Sequence, residues 1–184
     1  MSTIQAVVLA IVEGLTEFMP ISSTAHLVMV SSMMGIGKED FTQFFTVAVQ
    51  LGAILAVVVL YWRKFLNIQR WQFYVKLIIA VIPALVLGYK FGDAIKLALI
   101  NPTIIALALI GGGVILLFID NFFRNGPIKE EKQLTYLNSI MIGLFQCLAL
   151  IPGISRAAAT IIGGMQQKLS RGMAAEFSFF LSVP

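Results

Sequence analysis

The chain has 184 residues, 59% of them hydrophobic and only 12% charged, with a mean hydropathy of +0.92. A soluble domain devotes roughly a quarter of its residues to charge, so this chain has too little to clothe a water-facing globule. Its 13 Lys and Arg against 9 Asp and Glu give +4, but the cations are scattered singly or in pairs. No basic face is available for nucleic acid, and such cations belong beside membrane spans and anionic headgroups.

In chain order, the N-terminus lacks a basic n-region and a small-residue cleavage site, so Ile4 onward reads as mature protein rather than a signal peptide. Apolar stretches 4–19 and 26–35 are each short for a span, and Pro20-Ile21-Ser22-Ser23-Thr24 separates them. Three later stretches approach the ~20 apolar residues that a bilayer crossing needs. The cleanest is 41–62, followed directly by Arg63-Lys64. The second, 71–89, carries Lys76 near one end, where it can snorkel, and Pro83 as an expected kink. The third, 103–123, has Gly111-Gly112-Gly113 in its middle and Asp120 near its end. A triple glycine signals either close helix contact or a local weakness. Residues 124–135 are polar and read as a surface loop. Stretch 136–151 then meets Pro152-Gly153-Ile154-Ser155-Arg156, followed by a short apolar stretch, 157–165. Cys147 is the only cysteine, so no internal disulfide can form and no redox compartment follows.

Proline ends one helix and Ser or Thr caps the next, so both breaks have the pattern of a re-entrant helical hairpin. A break at membrane depth must lie against protein or line a wet cavity. The two also align as an internal repeat. Glu13 falls against Gln146, Leu15 against Leu148 and Ser22 against Ser155, and later Phe41-Thr-Gln-Phe-Phe against Glu176-Phe-Ser-Phe-Phe. Interrupted segments in corresponding places of two halves point to a substrate site.

Charge supports an inverted arrangement. With Met1 and Lys38 on one side, alternation places Lys90 and Lys96 there too. The other side receives Arg63, Lys64, Arg70, Arg124, Lys129, Lys132, Lys168 and Arg171, and the positive-inside rule makes that side cytoplasmic. The hairpins then enter from opposite faces and meet near the midplane. The expected fold is an all-α integral membrane protein in one transmembrane domain, 1–184. It comprises a first repeat of about 1–123, the loop 124–135, and a second repeat, 136–184, that is incomplete at its C-terminus. The counterpart of Pro184 lies near position 49. The reading therefore expects a fragment, or a partner filling the gap, with a homodimer left open.

Glu13 and Glu17 lie four apart, so a helix projects both carboxylates from one face. Such a pair is an ordinary solvated couple in a soluble protein. Among Val12, Leu15, Phe18 and Met19 it reads as functional instead, able to hold a divalent cation or to share a proton so that one carboxylate acts as a base. Ser22, Ser23 and Thr24 follow the proline; capping explains one of them, and three hydroxyls with free N–H groups describe an anion site. His26, the only histidine, falls on the Ser23 face of the next helix and suits acid/base work. Ser155 and Arg156 form the second tip. Arg156 has no acid near it in sequence, so its partner is a first-hairpin glutamate or a bound anion, phosphate above all.

These residues resemble the bacterial undecaprenyl-diphosphate phosphatases, the bacitracin-resistance protein family. The likeness covers essentially the whole chain. It is densest in Glu13-Gly-Leu-Thr-Glu-Phe-Met-Pro-Ile-Ser-Ser-Thr-Ala-His, in Gln50-Leu-Gly-Ala-Ile-Leu-Ala-Val, in Pro152-Gly-Ile-Ser-Arg through Ala159-Thr160-Ile161, and in Ala175-Glu-Phe-Ser-Phe-Phe-Leu. The resemblance implies removal of the terminal phosphate of a C55 polyprenyl diphosphate, recycling the carrier lipid for peptidoglycan synthesis. It implies a multi-pass protein of the bacterial plasma (inner) membrane, two re-entrant hairpins, and a site opening toward the outer face. By motif it carries over Glu13, Glu17, Ser22, Ser23, Thr24 and His26 as one cluster and Ser155 and Arg156 as a second, with Mg²⁺ or Ca²⁺ assisting. The chain departs from the family at Ala25, where Gly is usual, and at Ala157-Ala158, where Ser-Gly is usual. The expected chemistry is attack on the terminal phosphorus by Ser23, with Glu17 or His26 taking its proton, or by His26 itself or water. Arg156, the tip N–H groups and the cation stabilise charge on the phosphoryl oxygens. The rivals are a lipid transporter or flippase, and a member that binds lipid diphosphate without cleaving it.

Overall fold

The computed structural model describes residues 1–99, 101–123 and 126–184, apart from the side chain of Asp120. Ile100, Arg124 and Asn125 lie outside the described residues, as therefore does the siding of Arg124 with the other cations. Among the described residues the chain is helical, with no strand beyond one isolated bridge between Ile128 and Leu169. In order the helices are α1 Thr3–Thr16, α2 Ser23–Met33, α3 Asp40–Leu60, α4 Trp62–Phe65, α5 Trp71–Lys90, α6 Gly92–Leu99, α7 Pro102–Phe122, α8 Tyr136–Gln146, α9 Arg156–Gln166 and α10 Arg171–Phe180. Single 3₁₀ turns lie at Ile68–Arg70, Glu131–Gln133 and Cys147–Leu150.

Local chemistry sets most of the starts. Ser2 and Thr135 make capping boxes with Gln5 and Asn138. Asn101 accepts from the N–H groups of Thr103 and Ile104, with Pro102 at the first helical position. Ser155 and Ser170 cap α9 and α10 by accepting from Ala158 and Met173. Three segments are long and apolar enough to cross a bilayer: Asp40–Leu60, Ile68–Lys90 and Pro102–Ile119. They coincide with the three expected spans. Helix α5 runs through Pro83 unbroken. Helix α7 runs through the triple glycine unbroken, and a Cβ on any of those glycines would meet nothing within 4 Å. Among the described residues the glycines therefore mark neither a close helix contact nor a break.

Two packing centres hold the helices. Leu9, Leu27 and Ile36 bury against one another where α1 meets α2 and α3. The larger centre joins Phe73, Leu77 and Ala80 of α5 to Ile142 of α8, Met165 of α9, and Phe177 and Phe180 of α10. Phe73 meets Phe177 and Phe180 edge-on, at 5.8 and 5.4 Å between ring centroids, contacts worth about 0.5–1.5 kcal/mol each beyond burial. Gly143 lets α8 lie directly on α5, since a Cβ there would sit 2.3 Å from the Ala80 carbonyl oxygen.

One end gathers most of the cations that share a side in the sequence. Lys64 pairs with Glu176, and Arg70 Nε donates to Glu131 Oε2 at 2.8 Å. Arg70 also lies 3.8 Å from Glu176. The polar segment before α8 is more than a loose surface loop: Ile128 exchanges backbone hydrogen bonds with Lys168 and Ser170, and Leu134 is buried. Lys76 is buried rather than snorkelling to water; its Nζ donates to the Glu131 carbonyl at 3.2 Å and lies 5.8 Å from the Tyr136 ring.

Candidate functional site

The chain between α1 and α2 turns at Pro20 and enters α2 through Ser22, whose backbone is left-handed at φ 65°. A serine in that region costs of order 1 kcal/mol or more and survives only where the surroundings fix it. No side-chain cap comes from Ser22; its carbonyl oxygen instead accepts from His26, with Nδ1 at 2.8 Å. A carbonyl can only accept, so Nδ1 carries a proton, and a neutral ring would then keep its lone pair on Nε2. The second break turns through Gly153, at φ +99°, where a Cβ would stand 2.6 Å from the Ile105 carbonyl oxygen. Glycine is thus required twice over at this tip, for its backbone conformation and for its contact with α7.

The two breaks meet. Glu17 Oε1 accepts from Arg156 Nη2 at 2.8 Å, and Glu17 Oε2 accepts from Ser23 Oγ at 2.5 Å. One carboxylate from α1's end therefore links the hydroxyl heading α2 to the guanidinium heading α9. Arg156 has the glutamate partner that its sequence neighbours could not supply. These three groups line a cavity of about 200 Å³ together with Ser22, Thr24 and Ser155. Ser22, Ser23 and Ser155 are buried, so their hydroxyls face protein and this cavity rather than bulk water. Ala157 and Ala158 sit in regular helix at α9's first turn, where alanine carries no backbone strain.

Two expected members lie apart from that cavity's lining. His26 lines a neighbouring apolar cavity of about 600 Å³ with Pro20 and Ile21. Glu13 is wholly buried, and no hydrogen-bond donor reaches either of its carboxylate oxygens. An orphaned buried carboxylate one helical turn from Glu17 fits a divalent cation, which commonly takes one or two protein carboxylates and completes its shell from substrate phosphate. No cluster of three or more His, Cys, Asp or Glu exists among the described residues, so protein ligands alone would leave the shell open.

Three polar groups at the site drew no role from their sequence positions. Gln50 of α3 lines the polar cavity; an uncompensated amide in the middle of an apolar span was the available signal. Thr160 and Ser178 form a buried pair 2.6 Å apart. Thr160 has one hydroxyl proton, which goes to the Arg156 carbonyl at 2.8 Å, so Ser178 donates to Thr160. The Ser178 carbonyl accepts from Arg156 Nη1 at 3.4 Å. Only the packing of α10 on α9 brings this serine to the arginine.

Residues 6–184 match the family described as bacitracin resistance protein BacA. A protein of Flavobacterium johnsoniae named undecaprenyl-diphosphatase is 56% identical over the whole of this chain and 69% of its own length. Namesakes from Flavobacterium psychrophilum and Bdellovibrio bacteriovorus are 54% and 47% identical, again over all of this chain, which covers 69% and 70% of them. With matches of this extent and a helical, multi-span architecture, the chain belongs to the BacA bacitracin resistance family of membrane proteins.

Proposed function

We propose that this chain hydrolyses the terminal phosphate of undecaprenyl diphosphate in the bacterial plasma membrane, returning the carrier lipid to peptidoglycan synthesis. The observation that carries this reading is Glu17 held between Ser23 and Arg156, at 2.5 and 2.8 Å, beside a small polar cavity. A transporter needs an anion site but no hydroxyl already hydrogen-bonded to a carboxylate. In the proposed reaction Ser23 Oγ attacks the terminal phosphorus and its proton passes to Glu17 Oε2. The bond from phosphorus to the bridging oxygen breaks, undecaprenyl phosphate leaves, and water then cleaves the phosphoserine to free phosphate. An arriving phosphate gives the guanidinium a second anion; Arg156 turns to the phosphoryl oxygens and leaves Glu17 open to the proton. Ser22, Thr24 and Ser155 supply further hydroxyls to the phosphate.

Glu13 and Glu17 would hold a divalent cation, Mg²⁺ or Ca²⁺. When bound it neutralises charge on the phosphate oxygens. A second reading, direct attack by His26, is favoured by the Nδ1–H bond to the Ser22 carbonyl, which makes Nε2 the nitrogen with the lone pair in a neutral ring.

The architecture that goes with this reading is an inverted repeat of 1–123 and 136–184, joined by 124–135 in one transmembrane domain, with two re-entrant hairpins. Its support is the parallel order of the halves. Helix, break, helix, helix describes α1–α3 and α8–α10 alike, and the aligned Leu15 and Leu148 are both exposed. The end bearing Arg63, Lys64 and Arg70 faces the cytoplasm, and the site opens toward the outer face.

The test is phosphate release from undecaprenyl diphosphate in detergent or vesicles. Ser23→Ala, Glu17→Gln and Arg156→Ala each lower kcat by about a hundredfold or more. A phosphoryl group that survives acid quench and maps to Ser23 marks the first reading, and one lost in acid but kept under alkaline quench and mapped to His26 marks the second. Turnover left intact in both Ser23→Ala and Arg156→Ala removes the enzyme reading.

A further inference from the structure

One polar residue of the small cavity belongs to neither break. Glu17, Ser22, Ser23, Thr24, Ser155 and Arg156 all come from the two breaks, whereas Gln50 sits midway along α3, a helix of 21 residues. Its neighbours Val47, Ala48, Val49 and Leu51 are apolar. An amide without a partner is costly in a membrane span, yet among the described residues no group hydrogen-bonds the Gln50 carboxamide. The cavity of about 200 Å³ has room for a phosphoryl group with a water beside it, at ~30 Å³ for each water.

We propose that Gln50 positions the water that hydrolyses the phosphoserine in the second half of the reaction. The inference rests on the diphosphatase reading with Ser23 as nucleophile. In the first half Glu17 takes the Ser23 proton, so it enters the second half protonated. There it returns that proton to Ser23 Oγ as the bond from phosphorus to Oγ breaks. A carboxyl that serves as the acid cannot also draw a proton from the water. The water oxygen bonds to phosphorus, and both water protons leave with the phosphate as dihydrogen phosphate, one of them after passing to a phosphoryl oxygen. This step needs orientation more than a strong base, and a neutral amide supplies it. Oε1 accepts from the water while Nε2 donates to a phosphoryl oxygen. Glutamine orients attacking water in this way in some phosphoryl-transfer enzymes. Attack in line with the departing Oγ places the water on the face away from Ser23. Ser22 and Thr24 belong to Ser23's own segment, and Ser155 Oγ already accepts from the Ala158 N–H. A carboxylate at position 50 would repel the phosphate and compete with it for Arg156, which accounts for an amide here rather than an acid.

The experiment uses the full chain in lipid vesicles and undecaprenyl diphosphate radiolabelled in its terminal phosphate, with acid quench during the first and later turnovers. In Gln50→Leu the rate of phosphoserine formation stays within about twofold, and phosphoserine then accumulates on most of the chains. There kcat falls about tenfold or more and KM falls with it. The ratio kcat/KM reports only the steps up to the phosphoserine, so it stays within about twofold. Gln43→Leu, at an exposed amide on the same helix, changes none of these. Proportional loss of kcat and kcat/KM in Gln50→Leu, with no phosphoserine accumulating, overturns the inference and leaves the diphosphatase reading standing. Should Gln50→Leu fail to fold, as size exclusion reports, Gln50→Asn, whose amide is one methylene short, decides by the same two readouts. Phosphate release with no phosphoserine in any folded variant removes attack by Ser23 and this inference with it. No phosphate release by the unaltered chain overturns the diphosphatase reading itself.

Discussion

The guanidinium of Arg156 is shared between Glu17 and the Ser178 carbonyl, at 2.8 and 3.4 Å, so its direction depends on α10 as much as on its own helix. Ser178 fixes that geometry through Thr160, whose only proton is committed to the Arg156 carbonyl. Replacing Ser178 by alanine leaves the Thr160 hydroxyl without its donor and lets α10 shift against α9. Misplacement of a catalytic group by about 1 Å can cost up to a hundredfold. Ser178→Ala is expected to lower kcat about tenfold, with KM for undecaprenyl diphosphate within twofold and the thermal midpoint little changed. Equal losses in kcat and thermal stability would make Ser178 a packing residue only. The site's charged and hydroxyl groups were readable from types and spacing, because a carboxylate or guanidinium is too costly to place among apolar residues without a chemical role. Ser178 was not, since a serine in a helix says nothing about what packs on it. The separation of His26 from the polar cavity was equally hidden, as was the left-handed backbone at Ser22, because no pattern of residue types announces either.

Helices α5 and α8 make a close backbone approach, at Gly143 against Ala80. Alanine is the better helix former by about 1 kcal/mol, but at this position its Cβ must push two backbones apart. Overpacking of this kind costs about 1–3 kcal/mol. Gly143→Ala is therefore expected to lower the thermal midpoint of the detergent-solubilised protein by several degrees, whereas Gly92→Ala, which meets nothing within 4 Å, does not. Equal midpoints for the two would mean that α5 and α8 are not in backbone contact. The three spans were legible to within about two residues, because twenty apolar residues in a row have one economical solution in lipid. The surroundings of the α7 glycines were not legible, since whether a glycine meets another helix is decided by the neighbour across from it.

Charge placement is a property of the whole molecule, and it alone reports how the protein sits in its membrane. Ion pairs bring Lys64, Arg70, Glu131 and Glu176 to one end, and the strand-like contact of Ile128 with Leu169 ties residues 126–135 to the start of α10. Lys38, Lys90 and Lys96 belong to the connections at the opposite ends of the spans. The asymmetry was visible in the sequence, but the pairing was not: Glu131 and Glu176 lie 61 and 106 positions from Arg70. On the proposed orientation the end with these pairs is cytoplasmic. Because Cys147 is the only cysteine, a Cys147→Ser background gives clean labelling sites. Lys96→Cys should react with a membrane-impermeant maleimide in intact cells, and Lys129→Cys only after permeabilisation, since both side chains are exposed in the fold. The reverse pattern would invert the protein and turn the site toward the cytoplasm, where the lipid diphosphate would have to be presented from the other leaflet. Labelling of both in intact cells would mean that the chain between α7 and α8 is not held at one membrane face.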